Sequence, residues 1–330
     1  MSNGYQQQYQ QQPKKSSFWK WFWGITLFVL LICIIGLSVL FYVAINRISG
    51  GDGKDFYFEY SGSGKGKIAV VELDYTIITA EPIVRQFTKF RDDKSIQAIV
   101  LRINTPGGGV AASQEMYEII KNTSEKKPVV VSMGSIGASG GYYAACGSSL
   151  IVANPGSLVG SIGVIANFIS IKGLADDWGI KETTIKSGEL KDAGNPFREP
   201  NAKDIAYFQD IVDNSFRQFF NVVKNARNLD STELIKIANG RVFTGEQGIG
   251  LGLVDTLGTF EDAIKITADM VGIEGKPVLV RERERRNYFD LFYESMFKSE
   301  LKEVKDELKT EFLEQPILQY KFVPSGINIP

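Results

Sequence analysis

The chain has no histidine and only two cysteines among its 330 residues. The first absence excludes a Ser-His-Asp triad within the chain, and with it any metal site built on imidazole. The second leaves no material for a disulfide framework: Cys33 lies inside an apolar run suited to lipid, so no pairing with Cys146 is expected, and Cys146 reads as a small core residue. An excess of charge of either sign is also missing. Lys+Arg number 37 against 38 Asp+Glu, which argues against nucleic acid as a partner. There is no Gly-x-x-x-x-Gly-Lys-Ser/Thr phosphate loop and no clean internal repeat, and nothing in the chain implies a metal or a cofactor.

What the chain does have is one long apolar run. Residues 21–44 carry no charge. As a helix rising about 1.5 Å per residue they would span roughly 36 Å, enough for a hydrocarbon core of about 30 Å. Trp19, Trp21 and Trp23 mark one end and Tyr42 the other, in the manner of interfacial anchors. A cleaved signal peptide would carry a shorter apolar core and a small-residue cleavage site, so the run reads as an uncleaved anchor over residues 21–45, after a polar tail over 1–20 expected to be disordered. Lys14, Lys15 and Lys20 precede the span, while Arg47, Asp52 and Asp55 follow it. The positive-inside rule then favours a cytoplasmic N-terminus with the bulk of the chain on the outer side.

Residues 46–66 read as a Gly/Ser-rich linker around a short aromatic patch. A compact pattern starts at Lys67. Apolar runs predict strands at 68–73, 96–103, 128–133 and 149–153, with a further short one at 183–186. Periodic stretches predict helices at 81–91, 111–122, 204–227, 233–238, 245–251 and 261–271. This alternation points to an α/β fold with a largely parallel sheet. Residues 276–330 form a charged C-terminal extension, expected to be partly helical over 282–314 and extended over 315–330.

Three stretches carry candidate chemistry. Ser139, in Gly134-Ser-Ile-Gly-Ala-Ser-Gly-Gly-Tyr-Tyr143, follows a strand and opens a helix. There it would face free N–H groups, and the N–H of Gly140 is placed to hold a developing oxyanion; a plain capping serine fits the same pattern. Pro106-Gly-Gly-Gly109 also joins a strand to a helix. It lies at the strand edge where α/β sheets bind ligands, so Gly108 could supply a second donor, although an ordinary glycine turn reads the same way. With no imidazole available, lysine is the leading base, and Lys186 and Lys191 lie together in Thr184-Ile-Lys-Ser-Gly-Glu-Leu-Lys-Asp192. A lysine starting from a pKa of about 10.4 would have to give up roughly three units, about 4–5 kcal/mol of preference for its charge, to act near neutral pH.

Taken in order, Asn104-Thr-Pro-Gly-Gly-Gly109, the Gly134–Tyr143 segment and Ile185-Lys-Ser-Gly-Glu-Leu-Lys-Asp192 resemble the bacterial signal peptide peptidase A family in its short, one-copy form. Asn239-Gly-Arg-Val-Phe-Thr-Gly-Glu-Gln-Gly248 and Gly252-Leu-Val-Asp255 with Leu257-Gly258 extend the likeness, which spans about 67–271 of an expected peptidase domain over 67–275. The resemblance implies a Clp-protease/crotonase-like fold preceded by one transmembrane helix, and a serine endopeptidase with a Ser-Lys dyad. It maps the nucleophile to Ser139, the base to Lys191 rather than Lys186, the oxyanion hole to Gly108 and Gly140, and a lysine-orienting serine to Ser161. It further implies peptide substrates such as remnant signal peptides and other hydrophobic unfolded segments, a bacterial plasma-membrane location, and a homo-oligomer of up to eight chains whose sites combine Ser and Lys from neighbours. Two other readings share the glycine-lined hole: a crotonase-like acyl-CoA enzyme, and a non-catalytic membrane scaffold. The extended tail over 315–330 is a candidate self-substrate.

Overall fold

In the computed structural model, the described residues are 18–49, 56–284 and 318–322. They fall into two compact units, divided at Asp55 and Phe56. The first contains helix α1 (Phe18–Ser49). Its segment Trp19–Val39 has a mean hydropathy of 2.6 and is long and apolar enough to cross a membrane. The apolar residues run all round this helix rather than along one stripe, the pattern of a helix solvated by hydrocarbon.

In the second unit the chain order is β1 (Phe56–Ser61), β2 (Lys67–Leu73), α2 (Glu81–Asp92), β3 (Ile96–Thr105), β4 (Gly107–Gly109), α3 (Val110–Ser124), β5 (Val129–Ala138), α4 (Gly140–Ala145), β6 (Leu150–Ala153), β7 (Leu158–Gly160) and β8 (Ile165–Ala166). There follow α5 (Lys172–Asp177), a 3-10 turn (Glu189–Asp192), α6 (Ala202–Arg227), α7 (Ser231–Ile237), β9 (Val242–Thr244), α8 (Gly245–Gly250), β10 (Thr256–Leu257), α9 (Phe260–Met270), β11 (Val278–Glu284) and β12 (Leu318–Lys321).

The main sheet runs β1-β11-β2-β3-β5-β6-β10, with β7 and β9 joined to it through β5. The pairs from β11 to β10 are parallel; β1 on β11 and β9 on β7 are antiparallel. The expected α/β class and largely parallel sheet are thus present. Ile99, Val100 and Leu101 of β3 and Val129, Val130 and Val131 of β5 are fully buried, as expected of strands covered on both faces. Each such side chain contributes about 1.5–3 kcal/mol of burial. Helix α2 adds Ile83, Phe87 and Phe90 to the same core.

The structure differs from the sequence expectation in several places. The aromatic patch in the expected linker is strand β1, held against β11 in a six-residue antiparallel register. The start of the expected extension is β11, which pairs with β2 inside the main sheet. The stretch 183–186 is not a strand: among the described residues nothing pairs with it, and Ile185 is left 96% exposed. Strand β5 does not stop at Met133. After pairing with β6 through Val130–Met133 it changes partner and pairs with β7 through Ile136–Ala138. The glycines of that stretch look like a turn in the sequence. They sit against close neighbours instead: a Cβ at Gly134 would lie 3.0 Å from the Asn104 Cβ, and one at Gly137 would meet the Met133 sulfur at 2.0 Å and displace that side chain. The expected helix over 282–314 lies outside the described residues apart from Glu282–Glu284, which are strand.

Candidate active site

The change of partner along β5 carries Ser139 to the carboxyl end of the sheet. Its N–H donates to the Gly160 carbonyl (2.7 Å), continuing the ladder beyond the Ala138–Gly160 pair, and its carbonyl accepts from Tyr143 N–H (2.8 Å) in the first turn of α4. Between these two ties Ser139 adopts φ 52°, ψ −114°. Such a backbone costs of order 1–3 kcal/mol in a residue with a Cβ, and persists only where the surroundings impose it. Ser139 occupies the N-cap position of α4, yet its side chain makes no capping hydrogen bond. That observation separates it from the ordinary capping serine of the sequence reading. The residue is 1% exposed.

Ser161 repeats the geometry next door. It follows Gly160 as Ser139 follows Ala138, so each serine lies one residue past the last pair of two neighbouring parallel strands. It also has positive φ (53°), its N–H donates to the Arg241 carbonyl (2.9 Å), and its Oγ donates to the Gly240 carbonyl (3.1 Å).

Gly108 and Gly140 come together from two turns. A Cβ on Gly107 (φ 101°) would lie 2.6 Å from the Gly140 nitrogen, and one on Gly140 would lie 3.3 Å from the Gly108 nitrogen and 2.4 Å from Ser113 Oγ. Only bare backbone fits. Ser113, fully buried on α3, donates to the Gly109 carbonyl (2.8 Å) and fills the space behind the pair.

This crevice is occupied by the chain's own tail. Strand β12 lies between β4 and β8, antiparallel to both, with Tyr320 opposite Gly108 and Gln319 opposite Ile165. Phe322 N–H donates to the Pro106 carbonyl (2.8 Å), which marks one hydrogen-bonded rung. The alternation of an antiparallel ladder makes Tyr320 and Gly108 the next, with the Gly108 N–H against the Tyr320 carbonyl oxygen. That oxygen would lie 2.1 Å from a Cβ on Gly107 and 3.2 Å from one on Gly140, so it sits at the meeting of the two glycine turns.

The Tyr320 side chain is fully buried. It stacks on Tyr143 (ring centroids 5.1 Å apart), leans on Phe219 (4.7 Å), and its hydroxyl donates to the Ser215 carbonyl on α6 (3.0 Å). Burial raises the phenols of both Tyr320 and Tyr143, the latter to about 12. This seat for a side chain was missed from sequence. Its signals were the Tyr143 that closes the serine motif and the apolar face of α6, neither of which points to Tyr320.

Lys191 stands apart from these groups. It is exposed on the 3-10 turn, and among the described residues no hydrogen bond or ion pair joins it to Ser139 or Ser161 within one chain. Lys186, the other candidate, is engaged: its Nζ donates to the Glu189 carbonyl (3.0 Å) and pairs with Asp192 (2.6 Å). Cys146 and Cys33 are both free, and burial pushes the Cys146 thiol up to about 12, which suits a core residue and not a nucleophile.

Two family profiles match the chain, Peptidase family S49 over residues 121–274 and Clp protease over 65–154, and both matches include Ser139. Among curated relatives, "Putative protease MJ0651" of Methanocaldococcus jannaschii is 32% identical over 281 residues, covering 82% of this chain and 88% of its own length. "Putative protease slr0021" of Synechocystis is 39% identical over 216 residues, covering 65% of this chain and 78% of its own. "Putative signal peptide peptidase SppA" of Enterococcus faecium is 36% identical over 180 residues, covering 54% of this chain and 52% of its own. With a Clp-protease-like fold and these relatives, the chain belongs to peptidase family S49, as a signal peptide peptidase A-type protein of the short form.

Proposed function

We propose that the protein is a membrane-anchored serine endopeptidase that uses Ser139 as nucleophile and Lys191, supplied by a neighbouring copy, as base. The observation that carries this reading is the Tyr320 carbonyl seated at the Gly108–Gly140 crevice beside a strained, uncapped Ser139. A peptide lying as β12 lies presents a carbonyl carbon to Ser139. As the Ser139 oxygen bonds to that carbon, its proton passes to the neutral amine of Lys191. The resulting oxyanion is held by the N–H groups of Gly108 and Gly140, each such donor being worth about 3–4 kcal/mol in comparable hydrolases. The Lys191 ammonium then returns the proton to the departing amine, and water activated by the same lysine releases the acyl group. Ser161, one strand away, orients the lysine.

The need for a neighbour is supported by the exposure of Lys191 and of the apolar surface around it. Trp178 is 72% exposed, Ile180 50%, Ile185 96% and Leu190 39%. Covering these side chains against a second copy would drive assembly by burial of apolar area. We infer a homo-oligomer, with eight chains as the expectation from the family. Its substrates would be remnant signal peptides and other hydrophobic, unfolded segments near the bacterial plasma membrane, with α1 as the anchor, the N-terminus cytoplasmic and the peptidase unit outside. In this reading the tail is the chain's own substrate, cut between Tyr320 and Lys321.

A serine-directed peptide probe applied to the purified full chain tests this. Mass mapping should place the adduct on Ser139, Ser139→Ala should remove both label and hydrolysis of a fluorogenic peptide, and aged active protein should contain chains ending at Tyr320. Unlabelled Ser139 in active protein sinks the reading.

A further inference from the structure

The turn that carries Lys191 is rich in acid, a poor setting for an amine that must stand neutral before it takes a proton. Glu189 lies two residues before it and Asp192 immediately after, while Asp204 sits at the third position of α6. Each of these carboxylates is engaged by a cation other than Lys191. Glu189 pairs with Lys203 (2.6 Å). Asp192 pairs with Lys186 (2.6 Å) and with Arg198 (3.1 Å). Asp204, 1% exposed, pairs with Arg198 (2.5 Å) and accepts from the Asn201 N–H (2.9 Å). Arg198 also donates to the backbone carbonyl of Asp192 (3.0 Å), which ties the end of the turn to the start of α6. Of the remaining acids nearby, Glu182 accepts from Asn195 (2.8 Å) and Glu199 from Ser170 (3.2 Å). Arg198 and then Lys186 hold the Asp192 carboxyl down to about 2, so it stays ionised and occupied at any working pH. Of Lys186, Lys191 and Lys203, Lys191 is the one without a carboxylate partner among the described residues.

We propose that Arg198 and Lys186 are positioning residues that keep the acids of this turn occupied, so that Lys191 meets no carboxylate and can take the Ser139 proton. The proposal rests on Lys191 being the base. With Arg198 removed, Asp192 loses a bidentate partner and becomes available to the adjacent lysine, and an opposite charge within about 4–6 Å favours the protonated amine.

The test is kcat/KM as a function of pH for the full-length assembly carrying Arg198→Ala, Lys186→Gln, or Arg198→Ala together with Asp192→Asn. Arg198→Ala should move the acid limb about one pH unit upward, roughly a tenfold loss on that limb, while the alkaline plateau is kept. Lys186→Gln should give a smaller shift in the same direction, and because this lysine lies on an exposed loop, it carries the test should Arg198→Ala fail to assemble. Adding Asp192→Asn should return the limb toward its original place, which a merely structural loss would not do. An unshifted limb, a uniform loss at every pH, or no return in the double variant overturns the proposal. Lys191→Ala, measured alongside, separates the two readings. If it stays active, the base assignment fails. If it is inactive while the limb stays put, only this inference fails.

Discussion

Ser139 is seated just past the stretch of β5 that pairs with β7, held by hydrogen bonds on both sides and 1% exposed. Lys191 rides a four-residue 3-10 turn on a loop whose apolar side chains face solvent. On the proposed reading the serine side is complete within one chain: a backbone at positive φ, two glycine turns that meet and a buried seat for a side chain are already formed. The lysine side is held by local turn hydrogen bonds and ion pairs, and among the described residues its apolar side chains are left exposed. Sheet ladders and a buried core set positions to a fraction of an ångström, whereas a solvated loop held by charges waits for a surface to lie against. If the proposed dyad is right, the contrast teaches that the half needing fixed geometry is built into the core, and the half needing a dry surrounding is left to assembly.

The sharpest way to break that comparison is to mix two dead proteins. Ser139→Ala and Lys191→Ala should each be inactive, and dissociating and reassembling them together should restore turnover, since some sites then join an intact serine to an intact lysine. A mixture that stays inactive, although each variant assembles, places both groups of the dyad in one chain. The next effect is smaller. Gly140→Ala puts a Cβ 2.4 Å from Ser113 Oγ and displaces one oxyanion donor, so kcat should fall about 10²–10³-fold while KM for a short peptide changes little; an unaltered kcat removes Gly140 from the site.

The smallest effect concerns acid. The Asp192 carboxyl is lowered by Arg198 and then Lys186 to about 2, below its unfolded value of about 3.9. Its contribution is therefore present above about pH 4 and lost as pH falls through about 2. Hydrogen exchange should show residues 189–204 loosening across that window before residues 129–145 do. Simultaneous loosening of both regions would dissolve the distinction drawn here.

The strands and helices of the main sheet were legible because buried parallel strands are short apolar runs and the covering helices are amphipathic, as at 96–103 and 81–91. Glycine spacing likewise singled out two turns that the structure brings together, those of Gly108 and Gly140. What was not legible depends on partners distant in sequence. Strand β1 looked like linker because its mate, β11, lies more than two hundred residues on. The extension of β5 through Gly134–Ala138 was hidden because its glycines answer to close neighbours and not to a turn. The 183–186 stretch has β-branched residues but, among the described residues, nothing to pair with. Tyr320 could not be found because its seat is made by Tyr143, Phe219 and the Ser215 carbonyl, three groups no local pattern connects.

The place of β12 has one more consequence. A segment lying between Gly107–Gly109 and Ile165–Ala166 gives up backbone groups along both of its edges. A helix has none to spare, and a strand already inside a sheet has at most one edge bare. A cleft that binds substrate as it binds β12 would therefore select conformation before sequence. On the proposed function, a mature, folded neighbour would pass untouched, while a stretch of chain stripped of its tertiary companions would fit.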